Sequence, residues 1–287
     1  MSSPAISFEF FPPKSVQASF RLRDCVQTLA PLDPTFVSVT YGAGGTTRTL
    51  THEAVDALVK TSDLNVAAHL TCVDATRDET LTIARDYKAA GVNHIVALRG
   101  DPPKGASSFH PHPEGFDGAI DLTRALANEG FEVTVGAYPE THPTATSQQA
   151  CIDHLKTKID AGATRAITQF FFEADIFLRF RDACADAGIT APIIPGILPI
   201  ENWTGVQKFA TSCGANIPQV LQDAFAKATD PETFDLLATA QATELCDDLL
   251  TQGVDHLHFY TLNKPELTRD ICHALGVTPK QTLQNVA

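Results

Sequence analysis

A single carboxylate, Glu9, interrupts the apolar stretch ISFEFFPPK at residues 6–14. An ionised carboxylate taken out of water is costly, so a chain keeps one there only with a partner, a raised pKa or a task. A solvent-facing edge strand or a pairing arginine would also explain it, and the surrounding pattern has to decide. Six further apolar runs end on groups of similar capacity: Thr40; His69; Arg99 with Asp101; Tyr138 with His142; Gln169; and Asn263 with Lys264. Carboxyl and imidazole groups move protons, guanidinium and ammonium groups hold anions, and an amide reads a polar edge as both donor and acceptor. A few such residues could be caps or turn starters, as Asp101 before two prolines could be. Seven strand ends of this kind together point to an enzyme site.

The elements that must position these residues alternate. Strand candidates are 5–11, 36–41, 65–72, 94–100, 131–138, 165–172, 192–198 and 254–262, each nearly continuous in apolar residues. That composition fits parallel strands covered on both faces. Helical patterns lie between them. Thr76 and Glu79 form a capping-box pattern for a helix that stops at Gly91, and further helices stop at Gly130, Gly162 and Gly188. In the third of these, Ile152, Leu155 and Ile159 form one buried stripe. Eight strand–helix units in 287 residues predict one α/β domain. A closed (β/α)8 TIM barrel of roughly 250 residues fits better than an open doubly wound sheet. The site then belongs at the carboxyl ends of the strands. Two connections are overlong: the Pro/Gly-rich loop 101–117, and residues 199–253, which hold two or three helices.

The formal net charge of −13 excludes a general basic surface for nucleic acid or anionic membrane, so an anionic ligand needs a local cationic pocket. The amino terminus shows no export signal, and no apolar run is long enough to span a bilayer, which predicts a cytoplasmic protein. Seven scattered cysteines without a C-x-x-C pair predict free thiols. The histidines of HPHP (110–113) and HLH (256–258) lack the companions of a metal site, and none is expected. YGAGG (41–45) matches neither the phosphate-loop nor the dinucleotide fingerprint, and reads as a tight turn.

The strings SFEFFPPK, FVSVTYGAGG, HLTC, HIVALRGDPP, AYPETHP, RAITQFFF, IIPGILP and HFYTLNK occur in that order. Together they resemble the bacterial methylenetetrahydrofolate reductase family over about residues 5–276. The resemblance implies a single catalytic barrel, residues 1–287, binding FAD at its carboxyl face, without the regulatory domain of the animal enzymes. It implies reduction of 5,10-methylenetetrahydrofolate to 5-methyltetrahydrofolate by ping-pong transfer from NADH or NADPH through the flavin, in support of methionine synthesis. A homo-oligomer is implied by analogy. With no dinucleotide fingerprint, the choice between the two nicotinamides stays open.

By that resemblance Glu9 is the general acid that opens the folate's five-membered ring to an N5 iminium cation. Its neighbours Phe8, Phe10 and Phe11 are expected to keep it protonated. Asp101 is expected to stabilise the cation. Implied cofactor contacts are Thr40, His69, Arg99, Gly100, Asp101, Phe116, Tyr138, His142, Ala145, Cys151, His154 and Lys158. Here the chain departs from relatives that carry Asp and Asn where it has Cys151 and His154, and Thr157 replaces a commonly basic residue. Implied folate contacts are Glu9, Asp101, Gln169, Phe177, Phe209 and Lys264. Core packing competes for both phenylalanines, and a lysine at 264 lacks the bidentate geometry of arginine. Two rival readings make different predictions: a cofactor-free barrel lyase or aldolase, and a folate- or flavin-binding protein without catalysis.

Overall fold

The computed structural model describes residues 3–41, 48–101 and 109–279. All strands are parallel: β1 (Ala5–Phe10), β2 (Phe36–Val39), β3 (Val66–Thr71), β4 (His94–Leu98), β5 (Glu132–Ala137), β6 (Arg165–Thr168), β7 (Ile193–Ile194), β8 (Gly196–Ile197) and β9 (His256–Tyr260). Their order is β7-β6-β5-β4-β3-β2-β1-β9-β8. The ends of this sheet are contiguous in the chain, so β7 and β8 together close it into a barrel.

The run 192–198, expected as one strand, is split at Pro195. Proline has no N–H to give a ladder, although its carbonyl still accepts from His258 N at 3.0 Å. β7 pairs with β6 and β8 with β9, so the break lets one segment serve both neighbours. Gly196 lies at that closure. A Cβ there would come within 2.2 Å of Thr168 O and 2.6 Å of the Tyr260 ring. Gly196→Ala is therefore expected to cost about 3 kcal/mol, read as a fall in urea midpoint without a change in slope.

The helices are α1 (Val16–Leu29), α2 (Arg48–Thr61), α3 (Arg77–Ala89), α4 (Ala119–Asn128), α5 (Gln148–Asp160), α6 (Ala174–Asp186), α7 (Trp203–Cys213), α8 (Gln219–Lys227), α9 (Pro231–Thr251) and α10 (Pro265–Ala274). Both halves of the Thr76–Glu79 capping box are made. Each of the four expected glycine stops lies two residues beyond the observed end of its helix. The overlong segment before β9 holds α7, α8 and α9.

Strand alternation separates two layers. Ile6, Phe8, Phe10, Val37, Val39, Ala68 and Leu70 face outward into the large core shared with the helices. Ser7, Glu9, Phe36, Ala67, His69, Val96, Ile167 and Ile194 face the barrel axis. The apolar members of that inner set, with Leu98 and Tyr260, form a separate cluster.

Candidate active site

Glu9 is near the carboxyl end of β1 and its side chain is only 15% exposed. The expectation that Phe8 and Phe10 keep it dry is corrected. Neighbouring residues on a strand point to opposite faces, so both rings pack outward, and Phe11 is at the exposed rim. Glu9 is desolvated by the barrel interior instead. That burial pushes its pKa above the ordinary carboxylate value, with the nearby His69 pulling the other way.

His69 Nε2 is 3.3 Å, and His258 Nε2 3.9 Å, from Glu9 Oε2. Burial drives the His69 pKa down to about 4 and that of His258 to about 3, so both imidazoles are neutral at pH 7. When Glu9 is protonated, it can give up that proton beside two neutral imidazoles without leaving a buried cation behind.

Above Glu9 opens a cavity of about 1300 Å³, lined also by Thr40, His69, Arg99, Asp101, Tyr138, His142, Gln169 and Phe209. A second, of about 890 Å³, adjoins it and shares Arg99, Asp101, Tyr138 and His142. Gly100 separates Arg99 from Asp101 at φ +87°. A Cβ there would meet Val73 Cγ1 at 2.8 Å, so the rim needs glycine to bring both charged residues to the cavity.

The second cavity runs along α5 as far as its last turn, and Ser147 caps that helix through Ala150 N. Cys151, His154 and Lys158 line it, as their shared helix face predicts, and Ala145 lines it from the turn before the helix. Cys151 Sγ accepts from His142 N at 3.4 Å, so the departure at 151 tethers the neighbouring loop. Lys158 is buried, donates to Gly136 O, and is pushed down by burial to about 8. It is still mostly a cation at pH 7, in a site where an anion would be welcome.

Gln169 Oε1 accepts from Phe170 N at 3.0 Å, which fixes the amide at the cavity wall. Phe209 is 42% exposed and is supported by Phe170, 5.1 Å away between ring centroids.

Three expected residues are not brought to the site. Phe177 is fully buried and stacks on Phe171 at 5.6 Å in the helix–sheet core. Phe116 is buried there too, beneath the Arg77 guanidinium at 4.7 Å. Lys264 lines neither cavity, and its ammonium is 3.5 Å from Glu201.

Phe109, Tyr260, Lys14 and Arg21 line the larger cavity without having been anticipated. Tyr260 had a legible signal, since it follows His256 and His258 at spacing two on one strand face. Phe109, which carries Arg99 5.2 Å above its ring, lies in a loop without periodicity. Residues 42–45 of the glycine-rich turn lie outside the described residues.

The methylenetetrahydrofolate reductase family model matches residues 1–276. The chain belongs to the methylenetetrahydrofolate reductase family. It is 47% identical over 276 residues to the 5,10-methylenetetrahydrofolate reductase of Salmonella typhimurium, covering 96% of this chain and 91% of that one. It is 46% identical to the Escherichia coli protein of the same name, with the same coverage. Among solved structures it resembles an uncharacterised Clostridium thermocellum protein that binds two copies of 5-methyl-5,6,7,8-tetrahydrofolic acid. That match has a TM-score of 0.64 at 17% identity over 96% of this chain and 95% of that one, a likeness of fold.

As a member of this family the chain is an oxidoreductase that reduces methylenetetrahydrofolate. Among the described residues no group of three or more His, Cys, Asp or Glu is placed to hold a metal ion. No helix among them is long and apolar enough to cross a membrane.

Proposed function

We propose that this chain reduces 5,10-methylenetetrahydrofolate to 5-methyltetrahydrofolate with electrons from NADH or NADPH, taken up and passed on in turn through FAD. The observation that carries the reading is Glu9: a carboxyl made hard to ionise by the barrel interior, opening onto a cavity large enough for a fused ring and a second ligand.

The donor set fits FAD. Arg99 and Lys158 supply positive charge suited to a diphosphate, within a chain whose overall charge is negative. The adjoining larger cavity offers Thr40, His69, Tyr138 and Gln169 around a flat polar ring. FAD supplies a site that accepts a hydride from the nicotinamide and gives it to the folate's one-carbon unit.

The protein's own part is binding and proton supply. Glu9 donates to the bridged folate nitrogen and opens the ring, and Asp101 offsets the cationic one-carbon unit that results. Gln169 pairs with the pterin edge, and Phe209 stacks on the bound folate. Lys14 and Arg21, at the larger cavity, are cations suited to the folate carboxylate, whereas Lys264 is paired with Glu201.

An anaerobic titration tests this. The purified protein should show a flavin absorption band that one of the nicotinamides bleaches and methylenetetrahydrofolate restores. A colourless protein that turns over the folate would contradict it. A more local expectation concerns Lys158. Loss of one charge-assisted contact to phosphate in Lys158→Met should weaken FAD binding by about 10- to 100-fold, measured by quenching of flavin fluorescence. Unchanged affinity would take Lys158 out of the diphosphate site.

A further inference from the structure

The barrel axis below Glu9 is polar. From Glu9 Oε2 it is 3.9 Å to His258 Nε2. His258 Nδ1 is 2.7 Å from Ser7 Oγ, and Ser7 Oγ is 3.0 Å from His256 Nε2. His256 Nε2 is also 3.3 Å from Thr35 Oγ1, and Thr35 is exposed at the opposite face of the barrel. Ser7 and His258 are wholly buried, whereas His256 is only partly so. The family's reaction consumes one proton per turnover. In the reading above, cofactor and folate occupy the mouth over Glu9 while it is used.

The hydrogen bonds allow one arrangement in which the row runs toward Glu9. Thr35 Oγ1 donates to Ile6 O at 3.0 Å, so its single proton is spent; in the arrangement that satisfies the remaining contacts, His256 Nε2–H is shared between Thr35 Oγ1 and Ser7 Oγ. Ser7 then gives its own proton to His258 Nδ1. In that arrangement a neutral His258 carries its proton on Nε2, the atom facing Glu9. That atom is buried and has no hydrogen-bond partner. Every proton in the row is aimed at the carboxyl, and the last donor is held in reserve.

We propose that His258, Ser7 and His256 form a proton relay that reloads Glu9 from solvent at the amino-terminal face of the barrel, while the mouth is closed by ligands. This rests on the role given to Glu9 above. In the relay His256 Nδ1 takes a proton from water. Its Nε2–H bond breaks as a Ser7 O–H bond forms, and the old Ser7 proton passes to His258 Nδ1. The His258 Nε2–H bond then breaks as the Glu9 O–H bond forms. One proton moves from solvent to carboxyl and no electrons move. Turning of the Ser7 hydroxyl and of the two rings restores the starting arrangement.

The other groups facing this row are few. His69 from β3 touches the same Glu9 oxygen. His94 from β4 is held by Thr134 Oγ1 at 2.7 Å, and Arg165 from β6 is paired with Glu132 from β5. Tyr260 from β9 gives its hydroxyl proton to Thr168 O at 2.6 Å. From His258 the row continues, hydrogen bond by hydrogen bond, to the far face, and its step to Glu9 is a gap of 3.9 Å.

The relay is tested on FAD-loaded protein with 5-methyltetrahydrofolate bound. A jump from alkaline to neutral pH is followed by the return of the infrared band of protonated Glu9, assigned by its absence in Glu9→Gln. Ser7→Ala breaks the row. His256→Gln keeps an amide N–H on Ser7 but cannot pass a proton, so it carries the test if Ser7→Ala fails to fold. Each variant should slow the return by about tenfold or more, and lower kcat without raising KM. Return at the wild-type rate in a folded variant would show that the proton enters by the mouth, and would overturn the relay. The two ideas fail separately. Full folate turnover by Glu9→Gln would remove Glu9's role whatever the infrared rates show.

Discussion

Glu9→Gln is expected to lower the rate of methylenetetrahydrofolate reduction by about 10²–10⁴-fold, while bleaching of the flavin by NADH or NADPH proceeds at close to the wild-type rate. Glutamine has nearly the shape of a protonated glutamic acid and carries no proton it can give. The change should therefore leave the cavity intact and remove one step. That step lies only on the folate side, because the nicotinamide brings a hydride and needs no acid. Stopped-flow absorbance of the two halves separates the effects. Equal losses in both halves would point to a distorted cavity, and no loss in either would mean that another group protonates the folate.

The same buried histidines predict a large response to acid. His69, His94, His256 and His258 are held neutral by burial, with pKa values driven down to about 4, 3, 4 and 3. In the unfolded chain each takes a proton below pH 6.5, whereas the folded chain refuses it until about pH 4 or lower. Between those limits the unfolded state binds more protons, so stability falls as pH falls, by up to about 1.4 kcal/mol per pH unit per histidine. Glu9 opposes this over part of the range, because its raised pKa makes the folded state the better proton binder above pH 4.5. One group against four does not reverse the sign. Against a typical stability of about 5–15 kcal/mol, the chain should unfold cooperatively near about pH 4.5. Trp203, the sole tryptophan, is stacked on Phe225 at 4.6 Å and reports the transition by fluorescence. A native signal persisting below pH 3 would mean that these imidazoles accept protons where they stand. Lys158 plays no part in this range, since its charge changes around pH 8.

Much of the scaffold was legible because local rules sufficed. The alternation of apolar runs with capped helices located every strand, and the polar strand ends marked the rim. Three things escaped for different reasons. Pro195 in the seventh run was visible, but what it permits, one segment serving two neighbours, depends on where the sheet closes. Phe116, Phe177 and Phe209 look alike in sequence, and only packing assigns the first two to the core and the third to the cavity. The partner of Lys264 is 63 residues away and carries no local signal.

Glu9's surroundings are legible in the sequence. Period-two alternation already places Phe8 and Phe10 on the face opposite Glu9, and Ser7 on the same one. The same rule applied to HLHFY sets His256, His258 and Tyr260 on a single strand face, which register with β1 makes the barrel interior. Polar residues inside a barrel read as accidents one strand at a time. Their meaning appears when the strands are laid side by side.

The central claim is that Glu9 holds a proton at neutral pH inside the barrel. Infrared difference spectra between wild type and Glu9→Gln, taken across a pH titration, test it most directly. The band of a protonated carboxyl should be present at pH 7 and fade only at higher pH. A band that disappears with an ordinary carboxylate pKa near 4.5 would show that Glu9 is ionised at working pH and has no proton to give.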